Sequence, residues 1–374
     1  MGVPHAHAAG SDSDRILIFG AGAAVGWGVT THDLALPGAL ARALAETTAR
    51  GADVDVVVDS SMTVARAATA LRAVNLARYD AIVVVLGVND ALQLTSPVVW
   101  RNQLSTVLAV VSEISRRDTT SIVAGIQPIR SIPIFDSLPG ALADRHAAAL
   151  NAESMTLCAA SSHAVFVQLP VTQRSTSPDR HRAPDEYAQW GRLLADSLTP
   201  LLATHHRTRA LRRSEGFVSV TEAKRQDAVD GLMLHDDGSL ARLTDILTFA
   251  QRAFRAESAT ITVLDHGRQR YLAQVGAELR EISRTDSFCN TAIGGEGAMI
   301  VRDALGDERF KDNPIARVQS RIRFYAGFPI ELQSGERIGT LCVVDSRARR
   351  PDERIDEILL RELALMAQRE LWRR

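Results

Sequence analysis

The sequence is poor in cysteine, aromatic residues and lysine, and these shortages exclude several classes of protein. Its three cysteines, Cys158, Cys289 and Cys342, lie too far apart for a C-x-x-C motif or a zinc-ligand set, so we expect no metal site and a reducing, cytoplasmic compartment. Lys224 and Lys311 are the only lysines and the net charge is −1, which disfavours nucleic acid and anionic membrane as partners. No apolar run approaches the ~18 residues of a membrane span. No cofactor is evident from the remaining motifs.

What the sequence does contain is an alternation of short apolar runs and amphipathic helical patterns over its first 200 residues. Continuous apolar strands separated by helices require a parallel sheet that is covered on both faces. We therefore predict an α/β, flavodoxin-like three-layer sandwich over 15–204, preceded by a disordered lead over 1–14. The predicted strands are Ile16–Phe19, Val54–Val58, Ala81–Leu86, Ser121–Ile126 and Ala164–Leu169.

The first of these strands ends in a glycine-rich turn. Gly20, Gly22 and Gly26 have the spacing G-x-G-x-x-x-G, which lets backbone N–H groups approach an anion, so one hypothesis is nucleotide binding through the Gly20–Gly26 loop. The turn also resembles the first signature of the SGNH (GDSL-type) hydrolases, a strand followed by Gly-Asp-Ser and then by Gly-x-Gly-Val, here Gly26-Trp-Gly-Val29. In this resemblance Gly22 replaces the nucleophilic serine and supplies no side-chain oxygen.

Of the three further signatures of this family, two are matched in part. The third strand is followed by a Gly-x-Asn-Asp motif, and the resemblance gives its Asn89 the role of oxyanion donor. The second signature lacks its glycine, so Ser60 or Ser61 would have to supply the backbone donor. His181 takes the position of the general base, but Pro178 replaces the carboxylate that would orient it. We therefore expect a non-catalytic, hydrolase-like domain.

After Leu202 the composition changes to a basic run and a mixed stretch, and we interpret 205–234 as a linker. From 235 to 374 the pattern of helix, strands, hairpin and terminal helix predicts an α+β domain with an antiparallel sheet. This region resembles bacterial GAF domains, which are small-molecule sensor modules of signalling proteins. The motifs that carry this resemblance are Asp286-Ser-Phe-Cys289, Val301-Arg-Asp303, Asp307-Glu-Arg-Phe310, Asn313-Pro314, Arg323-Phe-Tyr-Ala-Gly327, Pro329 and Gly339-Thr-Leu-Cys-Val-Val-Asp345.

The GAF resemblance implies a pocket between the sheet and the short helices. Within that pocket we expect Cys289 to lie near a helix N-terminus, which would favour thiol chemistry, whereas Cys342 lies in mid-strand and is expected to pack. Free methionine sulfoxide reductases are GAF enzymes with catalytic cysteines, but the sequence shows no closely spaced cysteine group. The residues that the resemblance places around the pocket are Phe288, Cys289, Asp303, Phe310, Phe324 and Tyr325.

The sequence thus predicts a bacterial small-molecule sensor or regulatory protein, with a ligand in the GAF pocket and a protein partner for output. One alternative is a GAF-regulated acyl-ester hydrolase with a displaced nucleophile, Ser60, Ser61 or Thr30. Amphipathic helices at both ends of the GAF region also predict a homodimer. The residues expected to hold it are Leu240, Leu243, Leu247, Leu359, Leu363 and Met366.

Overall fold

The chain forms two compact units, Val3–Glu215 and Gly216–Arg374, and the boundary lies within the stretch 205–234. The structure, a computed structural model, describes the following residues: 5–10, 12–25, 34–115, 119–131, 138–170, 184–213, 222–232, 239–277, 279–295, 297–319, 322–332 and 334–372. Among them, no helix combines the length and apolar content needed to cross a membrane.

The first unit is built on one sheet with helices on both faces. Its described strands are β1 (His5–Ala8), β2 (Asp14–Gly20), β3 (Ala52–Val58), β4 (Ala81–Val85), β5 (Thr120–Ala124) and β6 (Ala164–Val167). Their order is β1-β3-β2-β4-β5-β6, and all neighbours are parallel except β1, which pairs antiparallel with β3. The predicted α/β sandwich is confirmed, but the segment 1–14 predicted as a disordered lead contributes the edge strand β1 and the start of β2.

Alternation along the strands gives this unit two cores, one on each face of the sheet. Leu17 and Phe19 of β2 pack on one side, and Ile16 and Ile18 pack on the other; all four are fully buried. The described helices are α1 (Leu36–Thr48), α2 (Val64–Arg72), α3 (Val88–Leu92), α4 (Pro97–Ile114), α5 (Leu138–Ala159) and α6 (Pro184–Arg213). Helices α2, α4 and α5 cover the Leu17 face, and α1 and α6 cover the Ile16 face. Because β2 pairs parallel with both β3 and β4, the carboxyl ends of these three strands lie together at one edge of the sheet.

The second unit has an antiparallel sheet, as predicted. Its described strands are β7 (Ser258–Asp265), β8 (Arg268–Gly276), β9 (Ile282–Ser283), β10 (Met299–Val301), β11 (Phe324–Glu331) and β12 (Arg337–Asp345), in the order β10-β11-β12-β7-β8-β9. The described helices are α7 (Glu222–Asp230), α8 (Ser239–Ala253), α9 (Phe288–Ala292) and α10 (Glu357–Trp372). One face of the sheet packs against α8 and α10, and the other packs against α9 and the connecting segments.

The stretch 205–234, interpreted as a linker, is partly helical. Helix α6 continues to Arg213, and α7 packs on the second unit. Arg225 of α7 is 4 % exposed; it donates to the backbone oxygen of Leu264 and pairs with Glu222 at 2.7 Å. Val229 joins the core between the sheet and α8, so α7 belongs structurally to the second unit.

The leucines predicted to hold a homodimer are mostly inside this unit. Leu243, Leu247 and Leu363 are at most 4 % exposed and pack in the core beneath the sheet, because their stripe covers their own domain. Leu240 and Met366 are exposed. The homodimer therefore stays a prediction, and the buried leucines cannot form its contact without opening the domain.

Candidate functional site

The glycine turn after β2 is shaped by a close contact with β4. The N–H group of Ala21 donates to the backbone oxygen of Val85 at 2.8 Å, so it is not directed at a ligand. Gly20 has φ +136°, and a Cβ atom there would lie 2.0 Å from the same Val85 oxygen. Gly22 has φ +60°, which also favours glycine. Strand packing and backbone conformation therefore account for both glycines; Gly26-Trp-Gly-Val29 and Thr30 lie outside the described residues.

The Gly-x-Asn-Asp motif after β4 binds the chain that follows β3. The Asn89 side-chain amide donates to the backbone oxygens of Ser60 and Met62, both at 2.8 Å, which engages both of its hydrogens. The Asp90 carboxylate, 1 % exposed, accepts the Val64 N–H at 3.2 Å, and burial raises its pKa. In this conformation Asn89 ties α3 to the loop that follows β3 and offers no spare donor to an oxyanion.

Ser60 and Ser61 are both exposed, and the Ser61 hydroxyl is held by charged neighbours. It donates to Asp59 at 2.7 Å and accepts from Arg66 at 3.0 Å. The Ser61 N–H also donates to Asp59, and these bonds, with help from Arg66, hold the pKa of Asp59 below its ordinary value. A carboxylate with a lowered pKa is a weak base, so Asp59 is poorly suited to activate the serine. His181 lies outside the described residues.

The second unit contains a small cavity of about 30 Å³ between the sheet and α9. Buried Cys289 and Tyr325 lie at its inner wall, whereas exposed Arg280 marks the outer side. The residues that line it are Thr260, Gln269, Tyr271, Leu279, Arg280, Ile282, Phe288, Cys289, Ile315, Ile322, Tyr325, Cys342 and Val344. A largely apolar wall with a few polar groups is typical of a small-molecule site.

Three of the six residues expected around this pocket line the cavity: Phe288, Cys289 and Tyr325. Phe310 stacks behind Phe288, with ring centroids 4.3 Å apart. The other two expected residues, Asp303 and Phe324, do not line the cavity.

Phe324 lies on the opposite face of β11, in the core beneath α8 and α10, because consecutive strand residues alternate between faces. The guanidinium carbon of Arg349 lies 4.4 Å from its ring centroid. Asp303 forms a two-pronged ion pair with Arg323, at 2.6 and 2.7 Å, which fixes the segment before β11. The placement of Phe324 and Asp303 in the pocket is therefore corrected.

The cavity wall contains a thiol pair that the sequence analysis missed. Cys289 and Cys342 are 53 positions apart in the chain, yet their Sγ atoms are 3.9 Å apart. The Thr340 hydroxyl donates to the Cys289 sulfur at 3.1 Å, and the Tyr325 hydroxyl does so at 3.6 Å. The only available signal was the position of both cysteines in GAF motifs; their contact depends on α9 packing across β12.

These contacts shift the pKa values of the two thiols in opposite directions. Burial alone raises the pKa of Cys289, but hydrogen bonds from the neighbouring thiol and hydroxyl groups outweigh burial and lower it. The hydrogen bond between the sulfurs, together with burial, raises the pKa of Cys342. Negative charge in this pair is therefore favoured on Cys289.

A second group of possible ligating side chains lies at the end of β7. Ligand atoms of Asp230, Asp265 and His266 are within 4.8 Å of one another among the residues described. Gln226 donates to both carboxylates, at 2.7 and 3.0 Å, and Arg270 pairs with Asp265 at 2.9 Å. These bonds account for the cluster without a metal ion.

Comparison with known proteins agrees with both folds. Residues 18–209, about half of the chain, match the GDSL-like lipase/acylhydrolase family, and residues 240–371 match the GAF domain. The chain belongs to the GDSL-like lipase/acylhydrolase family. It also carries a GAF domain. Among curated proteins, a cyclic di-GMP phosphodiesterase of Pseudomonas aeruginosa is 41 % identical over 143 residues, which are 38 % of this chain and 24 % of that protein. The chain thus spans about a quarter of that relative.

Solved structures that are similar to parts of this chain include esterases and a GAF domain region. A carbohydrate acetylesterase from Sinorhizobium meliloti is 16 % identical, with a TM-score of 0.40 over 50 % of this chain and 99 % of its own. An aryl esterase of M. smegmatis is 18 % identical, with the same TM-score and coverage. The GAF region of a putative membrane protein from Geobacter sulfurreducens is 17 % identical, with a TM-score of 0.29 over 36 % of this chain and 90 % of its own.

Proposed function

We propose that this protein is a small-molecule sensor in which the GAF domain binds the ligand and the hydrolase-like domain acts without catalysis. The observation that carries the proposal is the cavity between the sheet and α9, with Phe288, Cys289 and Tyr325 in its wall. Its apolar wall and few polar groups suit a small organic molecule. Similarity to part of a cyclic di-GMP phosphodiesterase supports a regulatory role in signalling, but the activity of that protein is not carried over.

The hydrolase-like domain is proposed to be catalytically silent because three required features are missing or engaged. Gly22 supplies no nucleophilic oxygen. Asn89, in the position of the oxyanion donor, donates both amide hydrogens to backbone oxygens. The Ser61 hydroxyl is held between Asp59 and Arg66. The domain would then pass the signal of the GAF domain to a protein partner, with the homodimer and the cytoplasmic, bacterial setting as further predictions.

Ligand binding can be tested on the full-length protein purified from bacterial cells. We expect denaturation followed by mass spectrometry to release one small molecule in near-stoichiometric amount. Ile282→Trp, which places a large ring in the cavity wall, should lose that molecule, whereas Phe249→Trp, at an exposed position of α8, should keep it. Equal retention by both variants would place the ligand outside this cavity.

Catalytic silence has its own test, the hydrolysis of p-nitrophenyl acetate. We expect the wild-type protein to be no faster than the His181→Ala variant. Activity that disappears in Ser60→Ala, Ser61→Ala or Thr30→Ala would instead support the displaced-nucleophile hydrolase. Nucleotide binding through the Gly20–Gly26 loop is disfavoured because the Ala21 N–H already donates to the Val85 backbone oxygen. Calorimetric titration with a nucleotide should therefore give the same result for the wild-type protein and for Gly22→Ala, with no binding at this loop.

A further inference from the structure

Two of the three cysteines meet at the inner wall of the GAF cavity. Cys289 is in α9 and Cys342 is in mid-strand of β12, and their sulfur atoms lie 3.9 Å apart, close to van der Waals contact. A disulfide bond needs a separation of about 2 Å, so side-chain rotation has to close less than about 2 Å. The protein therefore holds this pair close to a bonding arrangement.

The surroundings of the pair differ from those of a cysteine that only packs. Two hydroxyl groups, those of Thr340 and Tyr325, lie within hydrogen-bond distance of the Cys289 sulfur, at 3.1 and 3.6 Å, although both residues are at most 1 % exposed. A thiolate accepts such hydrogen bonds well, and a thiol accepts them weakly. Cys158, in α5 of the other unit, is the contrasting case, since burial raises the pKa of its thiol to about 11. The polar contacts thus favour reactivity at one sulfur of the pair.

A small reagent can reach the pair through the cavity. Both cysteines line it, although each is only 2 % exposed, and exposed Arg280 lies on its outer side. Large reagents are excluded by the burial of the sulfurs, whereas the cavity of about 30 Å³, room for about two water molecules, admits a molecule of the size of hydrogen peroxide. The access of a small reagent and the close approach of the two sulfur atoms together point to oxidation of this thiol pair.

We propose that Cys289 and Cys342 form a dithiol that reduces hydrogen peroxide and small organic hydroperoxides and is converted to a disulfide. The Cys289 thiolate attacks the outer oxygen of the hydroperoxide, the O–O bond breaks, and the leaving alkoxide or hydroxide takes up the proton that Cys289 released. Cys289 is then a sulfenic acid. The Cys342 sulfur attacks the Cys289 sulfur, the S–O bond breaks, and the leaving hydroxide takes the Cys342 proton to form water.

In total, two thiols give two electrons and two protons, and one hydroperoxide becomes one alcohol, or water, and one water. An external thiol reductant has to restore the dithiol for a second cycle. This reaction goes beyond the proposed sensor function and does not depend on it, because it requires no bound ligand. It would, however, cross-link α9 to β12 and so change the wall of the cavity in which a ligand would bind.

The experiment treats the reduced full-length protein with a small molar excess of hydrogen peroxide, followed by alkylation under denaturing conditions and tryptic mass spectrometry. Trypsin separates the cysteines, with Cys289 in 285–302, Cys342 in 338–347 and Cys158 in 146–174. We expect a 285–302/338–347 disulfide that forms at least tenfold faster than any oxidation of Cys158. Similar oxidation of all three cysteines, or oxidation of Cys289 to sulfinic acid without a disulfide, would overturn the proposal.

Variants separate the two roles. In Cys342→Ser the sulfenic acid of Cys289 should persist and react with dimedone, whereas Cys289→Ser should lose rapid peroxide consumption altogether. Cys158→Ser is the matched control and should consume peroxide at the wild-type rate. Rapid consumption by Cys289→Ser would show that Cys289 is not the attacking sulfur. Because the wild-type measurement needs no substitution, the proposal remains testable if a variant fails to fold.

Discussion

The polar residues at the strand ends of the first unit and those around the GAF cavity have opposite arrangements. After β4, Asn89 and Asp90 bind backbone groups of the neighbouring loop, so side chains typical of hydrolase chemistry stabilise the protein's own chain. Around the cavity, the hydroxyls of Thr340 and Tyr325 bind a thiol that lines an accessible space. The comparison teaches that the partner of a hydrogen bond, more than the type of residue, separates a structural from a reactive role.

The strongest test of this comparison is Gly20→Ala. A Cβ atom at Gly20 would lie 2.0 Å from the Val85 oxygen, so β2 and β4 have to separate, and we expect a loss above about 3 kcal/mol or a failure to fold. Gly22→Ala is the matched control: its Cβ atom would meet a Val88 methyl at 3.2 Å with φ +60°, which should cost about 1–2 kcal/mol. Calorimetric unfolding measures both. Equal, small effects would mean that strand packing does not explain Gly20 and would favour nucleotide binding through the Gly20–Gly26 loop.

A smaller loss is expected for Asn89→Ala. Two backbone oxygens, those of Ser60 and Met62, lose their donor, which should cost about 1–3 kcal/mol and lower the melting temperature of the first unit. Asn102→Ala, at an exposed position of α4, is the control and should change the melting temperature little. If Asn89→Ala were as stable as wild type, the loop-binding role would be wrong, and the amide would be available for an oxyanion.

The sequence was sufficient for the architecture because strand and helix patterns are local. The predicted strand Ile16–Phe19 lies within β2, and the Gly-x-Asn-Asp motif follows β4 as predicted. The partners of Asn89 could not be predicted, since they belong to a loop more than 25 positions away. Phe324 and Tyr325 could not be assigned to a face because both sides of β11 are buried, so no polar alternation marks the pocket side.

The contact between the two cysteines illustrates the same limit. A thiol pair is recognised in a sequence by short spacing, and Cys289 and Cys342 are separated by a hairpin and several loops. Only the packing of α9 across the sheet brings them together. The edge strand β1 was missed for a different reason, because four residues, His5–Ala8, give too short a pattern.

On the cavity side, Thr340→Val should slow the reaction of Cys289 with iodoacetamide. The substitution keeps the shape of the side chain and removes the hydroxyl that donates to the thiolate at 3.1 Å. Hydrogen bonds to charged groups contribute about 1.5–3 kcal/mol, so alkylation near pH 6 should fall about tenfold or more. Thr248→Val, on α8, is a control with no expected effect, since that hydroxyl binds the Thr244 oxygen. An unchanged rate would show that the hydroxyl does not support the thiolate.

Tyr325→Phe should have the smallest effect, in the same direction. Its hydroxyl lies farther from the Cys289 sulfur, at 3.6 Å, and also contacts the Thr340 hydroxyl at 3.4 Å, so its removal weakens but does not abolish the stabilisation of the thiolate. Because these bonds lower the pKa of Cys289 against the effect of burial, their loss raises it, and the alkylation profile should move to higher pH. We expect about a threefold lower rate near pH 6 and no difference well above the ordinary thiol range, where both proteins are ionised. Tyr271→Phe, in the same cavity, is the control, since the Tyr271 hydroxyl accepts from Gln269 at 3.0 Å. A profile that moved equally in both variants would trace the effect to the cavity as a whole, and the reactive thiol would then owe its acidity to something other than the hydroxyl groups aimed at it.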